Sequence, residues 1–173
     1  MHPTADELSA LREQLRELLR DRAVVVMGVG NEVRGDDGFG VRAAEGIEHR
    51  VPVTVFVTFD LPEDYAVKAA DLQPDLVLVL DAADFGGEPG QVRLIPAEQI
   101  PPTPGVTHRP SLEMMARFLE LDAGAETWVV GVQPDLQRVG VGDEMSEPVR
   151  QAADELATML VELLRSSPTS TQE

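Results

Sequence analysis

The sequence predicts an α/β domain, a mostly parallel sheet with helices on both faces. Short apolar, β-branched runs at residues 23–28 and 76–80 read as strands buried on both sides. Segments of helical periodicity alternate with such runs in β-α-β order, which calls for parallel strands and right-handed crossovers. At 173 residues, with 43% hydrophobic and 26% charged residues, the chain is long enough for one domain with a core that needs no covalent staples.

The elements follow in order. Thr4 and Glu7 form a capping-box pattern, and Leu8, Leu11, Leu15 and Leu18 recur at helical spacing. Residues 5–21 are therefore expected to be an amphipathic helix, packed on its own domain or offered to a partner. The first strand, 23–28, runs into a segment punctuated by Gly28, Gly30, Gly35, Gly38 and Gly40. A helix is expected over 38–50, a strand over 51–59 and a helix over 63–72, closed by Pro74. The third strand, 76–80, ends at Asp81, and a fourth covers 91–95. Residues 96–110 hold five of the thirteen prolines, a density that excludes a helix and predicts a long loop carrying His108. A helix over 111–121, a strand over 127–132 and a helix over 146–164 complete the domain. Val149, Ala152, Leu156, Met159, Leu160 and Leu163 line one face of that last helix. The polar tail, 166–173, is expected to fray.

Composition narrows function. The chain has no cysteine, which excludes disulfides, zinc-finger spacings and a thiol nucleophile and suits a reducing cytoplasm. The net charge of −17 repels nucleic acid and anionic membrane surfaces alike. Thirteen of the fourteen basic residues are arginine, so lysine chemistry rests on Lys68 alone, expected on a helix surface. Residues 1–20 are charged throughout, unlike a signal peptide, and no apolar run reaches membrane-spanning length. A cytoplasmic protein is expected.

In open parallel sheets, ligands bind beyond the carboxyl ends of the strands. That rule shortlists Asn31, Glu32, Asp36 and Asp37 after the first strand, and Asp60, Glu63 and Asp64 after the second. Asp81 and Asp84 follow the third strand, His108 lies in the loop after the fourth, and Gln133 and Asp135 follow the fifth. Asp81 ends an apolar run, where a charge is costly unless it caps the following turn or performs chemistry. The glycine segment lacks the third glycine of a dinucleotide fingerprint, having Val33 there, and lacks the Gly-Lys-Ser/Thr of a phosphate loop. It carries Asp36 and Asp37 beside a helix start, where one carboxylate suffices as a cap and the second is available to a cation or as a base. Two carboxylates and an imidazole from this shortlist make a reasonable three-ligand metal set with open positions.

The segment Gly28-Val-Gly-Asn-x-x-x-Gly-Asp-Asp-Gly-x-Gly-Val41 resembles the signature of nickel–iron hydrogenase maturation endopeptidases. The likeness continues through Pro74-Asp-Leu-Val-Leu-Val-Leu-Asp-Ala-Ala-Asp-Phe-Gly86, Thr107-His108 and Val130-Gly-Val-Gln-Pro134, spanning about residues 23–165. The blocks Asp81-Ala-Ala-Asp-Phe-Gly86 and Gly131-Val-Gln-Pro134 resemble the branch serving membrane-bound, formate-hydrogenlyase-type hydrogenases. The resemblance implies a three-layer α/β/α, phosphorylase/hydrolase-like fold with a five-stranded mixed sheet, one strand antiparallel. The core would cover 23–165, with 5–21 an added helix. It implies an endopeptidase that removes a C-terminal extension from the hydrogenase large-subunit precursor once nickel is inserted. It places metal contact and catalysis on Asp37, Asp81 and His108, with Ni²⁺ supplied by the substrate. The first of these positions is Glu in some relatives, one methylene longer. Residues 60–64, Asp-Leu-Pro-Glu-Asp, depart from the Asp-x-Gly-Thr of other branches, a difference that bears on substrate selection. The alternatives are a metal-dependent hydrolase with another substrate, a nucleotide- or cofactor-binding module on the glycine turn, and a nickel-dependent scaffold without peptidase activity.

Overall fold

A computed structural model describes residues 4–102 and 109–166, apart from the side chains of 109–111. The order is α1 (Ala5–Leu19), β1 (Val24–Val29), α2 (Phe39–Ile47), β2 (Thr54–Phe59), α3 (Ala66–Asp71), β3 (Leu76–Ala82), β4 (Val92–Pro96), α4 (Arg109–Ala123), β5 (Glu126–Val132) and α5 (Glu147–Ser166). The five strands form one sheet in the order β2-β1-β3-β5-β4. β2, β1, β3 and β5 are parallel, and β4 alone runs antiparallel, against β5.

Alternation along the strands sorts the core into two layers. Val24, Val26, Leu76, Leu78 and Leu80 face α1, α2 and α5. Val25, Met27, Val77 and Val79 face α3 and α4. β1 and β3 are buried along their whole length, as their uninterrupted apolar runs require of strands covered on both sides. The leading helix packs on its own domain through Leu11, Leu15 and Leu19, and the capping box at Thr4 and Glu7 is formed.

Several expected boundaries are corrected. α1 stops at Leu19, because Asp21 adopts a left-handed φ of 54°. The helix expected over 38–50 ends at Ile47, and β2 starts three residues later than expected, at Thr54. The helix expected over 63–72 is a 3-10 turn, Pro62–Tyr65, followed by α3. Prolines do not clear 96–110 of helix. A 3-10 turn covers Ala97–Gln99, and α4 begins at Arg109 with Pro110 in its first turn, where a missing N–H has no intrahelical partner to lose. The tail, 167–173, lies outside the described residues.

The connectivity locates the site. The chain leaves β1 toward β2 on one side, then crosses back to β3 on the other, so the order reverses between β1 and β3. Such a switch point opens a crevice at the carboxyl ends of the two strands. α4 precedes the parallel strand β5 and runs back against it, so its first residue, Arg109, starts at this same carboxyl edge.

Candidate functional site

The segment after β1 is a kinked 3-10 turn, Glu32–Gly38, interrupted at Arg34 and Gly35. Two close approaches shape it. Gly30, with φ of 138°, lies where a Cβ would stand 1.9 Å from the Asp37 carbonyl oxygen, and that carbonyl accepts the Asn31 N–H at 3.2 Å. The turn thus folds back on its own start. Gly40 lies where a Cβ would stand 1.9 Å from the Leu80 carbonyl oxygen and 2.3 Å from that of Val29. The first turn of α2 therefore rests directly on the carboxyl ends of β1 and β3. These contacts deliver Asp37 and Asp81 to one edge, Asp37 one turn before Gly40 and Asp81 immediately after Leu80. Both are buried, at 2% and 3% exposure.

The expectation that one of the paired aspartates caps the following helix is not met. Gly38 is the N-cap of α2 and provides no side-chain bond. The fully buried Asp36 instead joins three segments. Its Oδ1 accepts the Ser146 N–H at 2.6 Å, and its Oδ2 accepts the Asp135 N–H at 2.8 Å and the Ser146 hydroxyl at 2.9 Å. Asp36 thereby orients the turn. Asp81 Oδ1 accepts the adjacent Ala82 N–H at 2.8 Å.

Other shortlisted residues serve as bracing. Asn31 Nδ2 donates to Asp60 Oδ2 at 2.7 Å and ties the turn to the loop after β2. Gln133, 3% exposed, organises the loop after β3. Its Oε1 accepts the N–H groups of Phe85 and Gly87 at 2.9 and 3.1 Å, and its Nε2 donates to Asp84 Oδ1 at 3.0 Å. The blocks 81–86 and 130–134, separate in sequence, are thus one hydrogen-bonded unit. Ser146 was not foreseen. Its only sequence signal is its place immediately before a long apolar-faced helix, a capping position.

His108 lies outside the described residues. Among the described residues no three Asp, Glu or His side chains are grouped to hold a metal ion. The structure brings Asp37 and Asp81 to one edge and starts α4 at that edge one residue after His108. Two buried carboxylates repel phosphate at this turn and suit a cation or a proton-transfer step. Among the described residues no helix is long and apolar enough to cross a membrane.

Comparison with known proteins agrees with this architecture. A family model for hydrogenase maturation proteases matches residues 62–163. The hydrogenase 3 maturation protease of Escherichia coli K12 is 34% identical over 134 residues, covering 75% of this chain and 83% of that protein. A putative hydrogenase maturation protease of Methanocaldococcus jannaschii is 24% identical, covering 89% and 96%. The crystal structure of the nickel–iron hydrogenase maturation protease HycI from Thermococcus kodakarensis superposes with a TM-score of 0.78 at 32% identity, covering 88% of this chain and 99% of that one. The solution structure of the Escherichia coli endopeptidase HycI gives a TM-score of 0.66 at 25% identity, covering 87% and 99%.

Proposed function

This chain belongs to the hydrogenase maturation protease family, and we propose that it removes the C-terminal extension of a nickel–iron hydrogenase large-subunit precursor after nickel insertion. The observation that supports this reading most directly is the pair of buried carboxylates, Asp37 and Asp81, held at the β1/β3 switch point. With His108 they make a ligand set of two oxygens and one nitrogen, chemistry that suits Ni²⁺ and leaves positions for the precursor's own ligands. The nickel belongs to the substrate. An unloaded precursor would lack the anchor, which makes cleavage wait for metal insertion. Held at this edge, the substrate's nickel would be able to polarise a nearby carbonyl, and a carboxylate there would be able to take a proton from attacking water. The burial of both aspartates keeps that electrostatic contrast strong.

A nucleotide-binding module would not need two buried acids at the glycine turn. The cysteine-free chain fits a cytoplasmic site of action.

The test is processing of nickel-loaded precursor by Asp37→Asn and His108→Ala. Each is expected to slow cleavage by about 100-fold or more. Full processing by both variants would remove the site assignment.

A further inference from the structure

The two edges of the sheet are built differently. β4 is guarded: it carries Arg93 and ends in Pro96, α1 packs along it, and Gln91 just before it donates to Glu7 Oε1 at 3.1 Å. Charge, proline and a covering helix are the usual means of keeping an edge from pairing with another chain. β2, at the opposite edge, is packed against by α2 and the Pro62–Tyr65 turn, but it has neither of the other two devices. Thr54-Val-Phe-Val-Thr-Phe59 carries no charge and no proline. Among the described residues, no backbone group from outside the sheet bonds to residues 54–57. Alternate N–H and C=O groups along this strand are therefore open to pairing, over about 20 Å at the usual rise per residue.

The strand leads into the site. Its register against β1 slips between Gly28 and Val29, so that Thr58 is the extra residue of a bulge. The Thr58 hydroxyl donates to the Gly28 carbonyl at 3.2 Å, and the Phe59 carbonyl accepts the Gly30 N–H at 3.0 Å. Phe59 holds a left-handed φ of 52° and is half exposed, and Leu61 beside it is 53% exposed. A non-glycine residue in that region costs energy. Here the cost holds an aromatic ring in solvent at the end of an open edge. The Asn31–Asp60 bond then fastens that end to the turn bearing Asp37.

We propose that the outer edge of β2 receives the scissile C-terminal segment of the precursor as an added extended strand. Main-chain pairing holds the segment, and the Phe59–Leu61 lip lies where it turns toward Asp37 and Asp81. This rests on the endopeptidase reading above and adds the surface by which the substrate is held. Strand addition fits a peptidase, because an extended peptide exposes its amides to the pairing edge and its scissile bond to the site.

Hydrogen exchange tests it, on the full chain mixed at low temperature with saturating nickel-loaded precursor, with cleavage followed in the same samples. In the protein alone, the outward amides of residues 54–58 exchange fast and the inward ones, bonded to β1, slowly. With precursor, the fast set is expected to slow by about tenfold or more, in alternation along the strand, while β4 is unchanged. Cleavage with no change in β2 exchange would overturn the edge assignment and leave the peptidase reading standing. Neither cleavage nor any protection would remove both. Protection that appears on raising protein concentration alone, with a dimer in sedimentation, would give the edge to a second copy of the chain and overturn the proposal.

Discussion

The Asp36 carboxylate accepts hydrogen bonds from residues 99 and 110 positions later in the chain. Replacing it by alanine leaves the half-buried N–H groups of Asp135 and Ser146 without this acceptor, and bonds to a charged group are among the stronger ones. Asp36→Ala is expected to lower stability by about 3 kcal/mol in urea unfolding, with an unchanged denaturant slope. Asp37→Asn should leave the midpoint near that of the parent and lose processing, so the two neighbours separate in a paired measurement. Sequence alone marked both aspartates and Asp81, since acids at strand ends and glycine turns are conspicuous. It assigned one of the pair to capping, the bond a local reading favours, because the actual acceptor geometry depends on loops far away in the chain. The sequence also shortlisted Gln133 without showing that its amide clasps the Asp84 loop.

At the level of elements, helix–sheet contact sets the precision of the site. α2 can rest on the ends of β1 and β3 only because Gly40 has no side chain. Gly40→Ala would drive a methyl against two main-chain carbonyls that cannot yield singly. The expected cost is about 3 kcal/mol, with processing lost in proportion to the displacement of Asp37 from Asp81; thermal unfolding and a cleavage assay read the two effects. α1 gives a test of opposite character. The Thr4 N–H donates to Glu7 Oε2 at 2.7 Å, and this bond, with the Thr4 hydroxyl next, holds the Glu7 carboxyl below its ordinary value. A lowered folded pKa means stability that is present above the unfolded pKa and lost as pH falls through the folded one. The first turn of α1 is therefore expected to open as pH drops through and below the usual glutamate range. Amide exchange at residues 4–8 reports this, and Glu7→Gln should abolish the pH dependence. Both strands and helices were legible from periodicity. Their ends were not, because a left-handed residue at Asp21 and a proline accepted at α4's first turn are decided by single backbone torsions.

Across the whole molecule, 31 acidic residues face 14 basic ones. Many of the ion pairs are exposed and join neighbours on one helix, as Arg16 with Glu13 and Arg117 with Glu120, and such pairs add little. Net repulsion among the remaining acids works against the compact state. Raising the ionic strength from about 0.01 M to 0.15 M shortens the screening length from about 30 Å to 8 Å, so the thermal midpoint is expected to rise, as calorimetry would show. A falling midpoint would mean that attractive pairs dominate. The sequence by itself determined the α/β class, the parallel core strands and the acids that stand at the strand ends, because each is written in local periodicity or residue type. The reversal of strand order between β1 and β3, the guarded β4 edge opposite the open β2, and the tie from Asp36 to Ser146 were decided only by tertiary structure. Those features depend on which distant segments a crossover brings within hydrogen-bonding reach, and no local pattern in the chain encodes that proximity.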